Sequence, residues 1–125
     1  MRRKSDTLTG QELEIMKVIW PRGQATVREV YDELRDRRVV AYTTVQTMMN
    51  ILETKGHLRR DQGDKANVYS PTRPQQVVVR SMVKEFVNRV FDGSSRPLLV
   101  HLLKDKGLND RERRALQRLL EKEDE

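Results

Sequence analysis

Residues 42–56 read YTTVQTMMNILETKG, and this stretch decides the fold because it carries an apolar and a polar face at helical spacing. Gly56 ends the predicted helix. The side chains at positions i, i+3, i+4 and i+7 are predicted to pack inward, namely Val45, Met48, Met49 and Leu52. The opposite face presents hydroxyls and amides without a carboxylate, so it can exchange hydrogen bonds with base edges in DNA. A solvated helix face that is rich in threonine is the alternative that these residues leave open.

A short basic hairpin is predicted directly after this helix. Segments 57–61 (HLRRD) and 67–70 (NVYS) contain β-compatible residues, and the five residues between them include a Gly-Asp pair that is typical of turns. Lys65 lies at the predicted tip, where a cation can reach phosphates beside a DNA groove. Arg59 and Arg60 point to opposite faces of their strand, so at most one of them is expected to face DNA.

Two helices precede this region, and each is opened by a capping box. Thr9 with Glu12, and Thr26 with Glu29, place a hydroxyl three residues before a carboxylate, and an apolar stripe follows each pair. The predicted order is therefore helix, helix, turn, helix and hairpin, which is the order of a winged helix-turn-helix. Trp20 falls on the first apolar stripe, so it is predicted to lie in the core rather than at a binding surface.

Residues 75–125 predict three short helices with wide apolar stripes. Helices this short cannot bury so much apolar surface alone, whereas two copies of the chain could do so together. We therefore predict a mainly helical protein with a small β-hairpin wing, divided into a winged-helix DNA-binding domain at 1–74 and a helical dimerisation domain at 75–125. The predicted dimerisation residues are Val79, Met82, Val83, Phe86, Val90, Leu98, Leu99, Leu102, Leu103, Leu116, Leu119 and Leu120.

Composition excludes several classes of function. The absence of cysteine excludes a disulfide framework, thiolate metal sites and cysteine catalysis. His57 and His101 have no ligand motif beside them, so we expect neither a metal, a cofactor nor an enzyme. No apolar run approaches the ~20 residues of a transmembrane helix, and a cytoplasmic protein without membrane insertion is expected. The net charge is +6, but residues 1–74 carry an excess of only four positive charges, which is modest for a monomer that binds DNA and therefore also favours a dimer.

Short motifs along the chain have a specific order and spacing. They are LTGQELEIM at 8–16, Ile19-Trp20, YTTVQT at 42–47, Lys55-Gly56, VYSP at 68–71, FVNRVF at 86–91, Gly93 and a Leu-rich last helix. Together they resemble the penicillinase-repressor family, called BlaI/MecI/CopY. The resemblance covers nearly the whole chain.

The resemblance implies a homodimeric transcriptional repressor that binds a palindromic operator in double-stranded DNA, with one winged helix on each half-site. Control of β-lactam resistance genes is a further implication. The base-reading positions of the family correspond here to Thr43, Thr44, Gln46 and Thr47. The predicted contacts to the DNA backbone are Lys65 at the wing tip, Arg59, Arg60 and Asn50. Ile51 stands where the family often has a basic residue, which leaves one phosphate contact of the family unsupported.

The resemblance also bears on release from DNA. In family members of the β-lactamase type, a membrane sensor protease triggers cleavage at an Asn-Phe bond, directly or through a downstream protease, and this chain has no Asn-Phe pair. Gly93, Ser94 and Ser95 occupy the corresponding loop, which is the expected site if release is proteolytic. The copper-responsive branch uses a cysteine motif that is absent here. Two alternatives stay open: a family member released without proteolysis that controls other genes, and a winged-helix module that contacts a protein instead of DNA.

Overall fold

The computed structural model describes residues 7–105 and 107–124, and within them it contains six helices and one two-stranded sheet. The elements in chain order are α1 (Gly10–Arg22), α2 (Val27–Arg35), α3 (Tyr42–Thr54), β1 (Leu58–Gln62), β2 (Asn67–Pro71), α4 (Gln75–Phe91), α5 (Arg96–Leu103) and α6 (Asp110–Asp124). The strands pair antiparallel, which confirms the predicted mainly helical fold with a β-hairpin wing. No helix in the described part of the chain is both long and apolar enough to cross a membrane.

Both N-terminal helices begin at their predicted capping boxes. The Thr9 hydroxyl accepts the Glu12 N–H at 3.2 Å, and the Glu12 carboxylate accepts the Thr9 N–H at 2.9 Å. Thr26 and Glu29 make the same two bonds before α2, at 3.1 and 2.9 Å. Each box satisfies two backbone N–H groups that a helix start otherwise leaves without partners. The starts of α1 and α2 therefore follow from local sequence.

The wing turns tightly at Gly63 and is attached to the helices through Tyr69. The Gly63 N–H donates to the Ala66 carbonyl at 3.0 Å, and a Cβ on Gly63 would lie 2.5 Å from the same oxygen. A larger residue would therefore force the turn to move. On β2, Tyr69 exchanges two backbone hydrogen bonds with Ala25, of 2.8 and 2.9 Å. These bonds fasten the wing to the segment that leads into α2.

The apolar stripes of α1, α2 and α3 meet in one core together with the wing. Of the four α3 residues predicted to pack inward, Val45, Met49 and Leu52 are buried, and Met48 packs half-buried against the core. Trp20 also packs half-buried against the core, as predicted. The other buried apolar residues of these elements include Ile15, Met16, Val18, Ile19, Val27, Val30, Leu34, Leu58 and Tyr69. Because these side chains fill the inner side of α3, its polar side is left at the surface.

The chain forms two compact units that divide between Met82 and Val83. The first turns of α4 belong to the N-terminal unit, because Val78 is 1% exposed in its core and Met82 packs against that core. Sequence spacing assigned the apolar stripe to Val79 instead, since Val77, Val78 and Val79 are consecutive and periodicity alone cannot choose among them. The predicted domain boundary after residue 74, and the role of Met82 in dimerisation, stay predictions.

The C-terminal unit consists of the rest of α4 with α5 and α6. Asn109 and Glu112 form a third capping box before α6, with bonds of 2.8 and 3.1 Å. Phe86 and Phe91 meet edge to face, with ring centres 5.9 Å apart. Among the described side chains of this unit, only Val87 is buried, at 8% exposure. The C-terminal unit therefore has little core of its own.

Candidate nucleic-acid interface

The outward side of α3 carries the residues predicted to read bases. Thr43, Thr44, Gln46 and Thr47 are all exposed in the first half of the helix. The first turn holds no acidic residue, and the N-cap residue Ala41 provides no side-chain hydrogen bond to it. This end of α3 therefore combines uncharged donors and acceptors with the positive end of the helix dipole, which favours contact with a polyanion.

A cleft of about 210 Å³ opens beside this end of α3. Tyr42 and Gln46 of α3 line it, and the start of α2 contributes Arg28. Ala66 and Asn67 of the wing belong to the same lining. The fold thus brings a predicted base-reading residue, a cation and the wing together around one concave surface.

Arg28 and Tyr42 were not among the predicted site residues. The capping box at Thr26 puts Arg28 in the first turn of α2, but nothing in the sequence indicates that this turn lies beside α3. Tyr42 packs edge-on against Tyr31 of α2, with ring centres 5.5 Å apart, and the Arg28 guanidinium lies 5.8 Å from the Tyr31 ring centre. Arg28 also pairs with Asp32 at 3.4 Å. These contacts orient the cation next to the cleft.

Asn50 lies on the same side of α3 as Gln46 and Thr47, one turn further along. The Tyr69 hydroxyl donates to Asn50 Oδ1 at 2.9 Å. The Thr54 hydroxyl donates to the backbone carbonyl of Asn50 at 3.1 Å, so this hydroxyl is used within its own helix. The wing therefore orients the Asn50 side chain, whereas Thr54 is bonded to the helix backbone.

The three predicted cations of the wing differ in their partners. Arg59 pairs with Asp61 on the same strand at 3.4 Å, and Arg60 pairs with Glu53 of α3 at 3.5 Å. Arg60 is therefore turned towards α3, and Arg59 lies on the other face of the strand. Lys65 is exposed at the tip and makes no ion pair with any residue that the structure describes. Lys65 is thus the least neutralised of the three charges.

An ion pair between a buried carboxylate and a partly exposed lysine holds the end of α3. Lys55 Nζ lies 2.9 Å from Oε1 and 2.8 Å from Oε2 of Glu12, whose side chain is almost fully buried. Burial by itself raises the pKa of the Glu12 carboxyl. Hydrogen bonds from Lys55 and Thr9, together with the positive charge of Lys55, outweigh burial and hold this pKa below its ordinary value of 4.5. The pair links the first turn of α1 to the residue after α3, so it ties the end of α3 to the start of α1.

The predicted dimerisation residues fall into two groups. The exposed ones are Val79, Val83, Phe86, Val90, Leu102 and Leu119. The half-buried ones are Met82, Leu98, Leu99, Leu103, Leu116 and Leu120. Clusters of exposed apolar side chains mark interaction surfaces, and contact of these residues with a second copy stays a prediction.

The predicted cleavage loop joins α4 to α5. Gly93 and Ser94 are exposed, and Ser95 is the N-cap residue of α5. The Gly93 N–H donates to the Val87 carbonyl at 3.2 Å, and both Asp92 (φ 54°) and Gly93 (φ 89°) adopt positive φ. These two residues with positive φ therefore end α4. Cleavage in this loop stays a prediction.

Three other side chains singled out in the sequence lie in different surroundings. Ile51 is exposed next to Asn50, where it adds an apolar edge to the polar side of α3. His57 is buried and His101 is exposed. Among the residues that the structure describes, no three or more potential metal ligands come together.

Three helices in helix-turn-helix order, followed by a hairpin that meets the third helix, define a winged-helix protein. A family model described as penicillinase repressor matches residues 8–122. The chain therefore belongs to the penicillinase-repressor family, which is made up of transcriptional repressors and not of enzymes.

Individual relatives agree with this membership. The penicillinase repressor of Bacillus licheniformis is 29% identical over 119 residues, which cover 95% of this chain and 93% of the relative. The transcriptional regulator BlaI of Mycobacterium tuberculosis is 32% identical over 112 residues, which cover 86% of this chain and 81% of the relative. A solution structure of monomeric Bacillus licheniformis BlaI in complex with the blaP half-operator matches with a TM-score of 0.51 and 32% identity, over 61% of this chain and 92% of that chain.

Proposed function

We propose that this protein is a sequence-specific DNA-binding transcriptional repressor that acts as a homodimer on a palindromic operator. The observation that carries the proposal is the exposed and uncharged start of α3, from which Gln46 reaches the cleft beside the wing. Membership of a repressor family supports it, as does the similarity to a relative whose structure was solved with a half-operator.

The geometry supports different roles for α3 and the wing. The major groove of DNA is wide enough for a helix, and hydroxyl and amide groups can hydrogen-bond base edges there. Thr43, Thr44, Gln46 and Thr47 would therefore supply sequence preference. Lys65 would bind phosphates beside the groove, a contact that positions the protein without reading sequence.

The homodimer is supported by the apolar surface of the C-terminal unit. Phe86, Val90 and Leu119 are among its exposed side chains, and a second copy of the chain would bury them. Two linked winged helices bind a palindrome more tightly than one, because the second half-site contact becomes intramolecular. A modest net charge of +6 per chain would then suffice for tight binding.

For the regulated genes and the mechanism of release, the support is family membership alone. We propose control of β-lactam resistance genes, with cleavage between α4 and α5 at Gly93, Ser94 or Ser95 by a membrane sensor protease or its downstream protease. Cleavage there would remove α5 and α6 from the dimer and uncouple the half-site contacts. Mass spectrometry of the protein before and after β-lactam treatment of the host tests this, since full-length protein beside derepressed targets contradicts it.

Base reading by α3 is tested with two matched threonine variants. A duplex enriched from a random library by the full-length protein serves as the specific probe, and a shuffled duplex as the non-specific one. Thr47→Ala should cost roughly 1–3 kcal/mol on the enriched duplex and little on the shuffled one. Thr54→Ala is the control, because its hydroxyl already bonds the Asn50 carbonyl within α3.

The same titrations discriminate DNA binding from protein binding by the winged helix. Affinity for duplex DNA should fall steeply with salt, because phosphate contacts release counterions. If the wild-type protein enriches no sequence and its weak binding is independent of salt, the DNA-binding proposal is wrong. Equal losses for Thr47→Ala and Thr54→Ala would instead reject only the assignment of Thr47 to base reading.

A further inference from the structure

The Tyr69 hydroxyl is a buried group with a fixed position. Its residue is 2% exposed, and its backbone is held on both sides, by Ala25 through two hydrogen bonds and by β1 through the pairing with Arg60. From the wing, the hydroxyl donates a hydrogen bond to Asn50 Oδ1 of α3 at 2.9 Å. A buried O–H needs an acceptor, so this bond has a definite direction from Tyr69 to Asn50.

The bond determines which end of the Asn50 side chain faces outward. The oxygen and the NH2 group of a carboxamide diverge from the same carbon, so an oxygen turned towards the wing leaves the NH2 group pointing in a different direction. Asn50 itself is exposed, and it lies one helical turn after Gln46 and Thr47 on the same side of α3. Asn50 therefore presents two N–H donors to whatever contacts this side of α3.

Donors alone restrict the possible contact in DNA. When asparagine reads adenine, it uses both ends, accepting from the N6 amino group and donating to N7. That arrangement needs Oδ1 to point outward beside the NH2 group, whereas the bond from Tyr69 turns Oδ1 towards the wing. Phosphate oxygens only accept hydrogen bonds, so they match an outward NH2 group, and so do the acceptors N7 and O6 of guanine and O4 of thymine. A recognition helix contacts base edges through its N-terminal residues, whereas Asn50 lies in the second half of α3, so a phosphate oxygen is the acceptor that fits its position.

We infer that Tyr69 is a positioning residue that turns the Asn50 carboxamide so that it donates to a phosphate oxygen of bound DNA and does not read adenine. The inference rests on the proposed DNA-binding function and assigns one contact within it. It separates Asn50 from Thr47, one turn earlier, which would supply sequence preference.

The orientation itself is tested first in the free protein, without DNA. In the full-length wild type, ¹⁵N relaxation of the Asn50 side-chain NH2 group should report an ordered carboxamide. Tyr69→Phe keeps the ring and removes only the hydroxyl, so the NH2 group should become mobile while the thermal unfolding midpoint falls by only a few degrees. If the Asn50 NH2 group were equally ordered in the wild type and in Tyr69→Phe, the inference would be wrong, whatever the protein binds.

The contact is tested next by titrating the enriched and the shuffled duplex with full-length variants. Asn50→Ala should weaken binding to both duplexes by a similar factor. Tyr69→Phe should weaken binding about threefold to tenfold in the wild type. In the Asn50→Ala background it should weaken binding less than about twofold, because Asn50→Ala has already removed the contact that Tyr69 supports.

The outcomes separate this inference from the proposed function. If wild-type protein binds the enriched duplex and Tyr69→Phe has the same effect with and without Asn50, the positioning role is wrong while DNA binding stands. If Asn50→Ala loses affinity only for the enriched duplex, and replacing a single base pair of that duplex abolishes the loss, then Asn50 reads a base and the inference is wrong. If the wild type binds neither duplex, the proposed function fails and the phosphate contact fails with it.

Discussion

The N-terminal and C-terminal units differ in how completely they bury their apolar side chains. In the N-terminal unit, Ile19, Val30 and Met49 are fully buried. In the C-terminal unit, Phe86 is 40% exposed and Val90 is 50% exposed. Burial of apolar surface is the dominant favourable term in folding, so the first unit has the core of an independent fold, whereas the second needs further apolar contact. The polar side of α3, proposed to contact DNA, is therefore built on a complete core, and the apolar surface proposed for dimerisation is built on an incomplete one.

Disruption of the apolar surface in the C-terminal unit should have the largest effect. Phe86→Asp puts a charge where a second copy is proposed to pack, so we expect a monomer and about a 100-fold or greater loss of affinity for a full operator. Analytical ultracentrifugation and DNA titration measure the two effects. Asn88→Asp adds the same charge at an exposed polar position of α4, and it should remain dimeric. A dimer of unchanged affinity for Phe86→Asp would exclude this surface from assembly.

The ion pair of Glu12 and Lys55 tests how tightly the N-terminal unit is packed. Lys55→Met leaves a buried carboxylate without its cation. Because Lys55 is partly exposed, we expect the free energy of unfolding to fall by about 2–3 kcal/mol, less than for a fully buried pair. Glu12→Gln keeps an acceptor for the Thr9 N–H and should cost less than Lys55→Met. Urea unfolding at fixed protein concentration measures both, and a larger loss for Glu12→Gln would contradict the expectation.

The same pair predicts a pH dependence of stability with a definite sign. The pKa of Glu12 is lower in the folded state than its ordinary value of 4.5, so the unfolded chain binds this proton more readily. The stability that the pair contributes is therefore fully present above about pH 4.5 and is lost as pH falls through the folded pKa. Urea unfolding at a series of acidic pH values should give a shallower decline for Glu12→Gln than for wild type. If the free energy of unfolding declined in parallel for the two proteins, Glu12 would not be responsible for the loss of stability at acidic pH.

Adjacent valines at the start of α4 test where the complete core ends. Val78 is 1% exposed and Val77 is 46% exposed, although both occupy the same helix. Val78→Ala should lower the free energy of unfolding by about 1–2 kcal/mol, because it removes two buried methyl groups and leaves a cavity. Val77→Ala should have little effect. If thermal and urea unfolding showed equal losses, the first turns of α4 would not belong to the N-terminal core.

The wing tip should give the smallest effect. Lys65→Ala removes one unpaired cation, so we expect binding to weaken about twofold to fivefold on the enriched and shuffled duplexes alike, with a salt slope lower by about 1. Arg59→Ala should change affinity less, because Asp61 already neutralises part of its charge. Titration at several salt concentrations measures both slopes. A change in base preference for Lys65→Ala would reverse the roles assigned to the wing and α3.

Much of the N-terminal unit was predictable because its signals are local. A capping box such as that of Thr9 and Glu12 spans three residues, and the inward face of α3 is defined by side chains at most seven residues apart. The C-terminal helices were predictable for the same reason. The first core contact of α4, made by Val78, was not predictable, because periodicity alone could not choose it over the adjacent Val77 and Val79.

The sequence by itself determined the order of the helices and the hairpin, the polar outward side of α3 and the membership of the repressor family. The tertiary structure alone decided which residues distant in sequence meet around α3. These are Tyr69 with Asn50, Lys55 with Glu12, and Arg28 with the cleft beside Gln46. The physical reason is how far apart in the sequence the interacting residues lie. Caps, turns and amphipathic faces depend on neighbours within a few positions, whereas an amide orientation or an ion pair between distant elements depends on how whole elements pack, which no local pattern records.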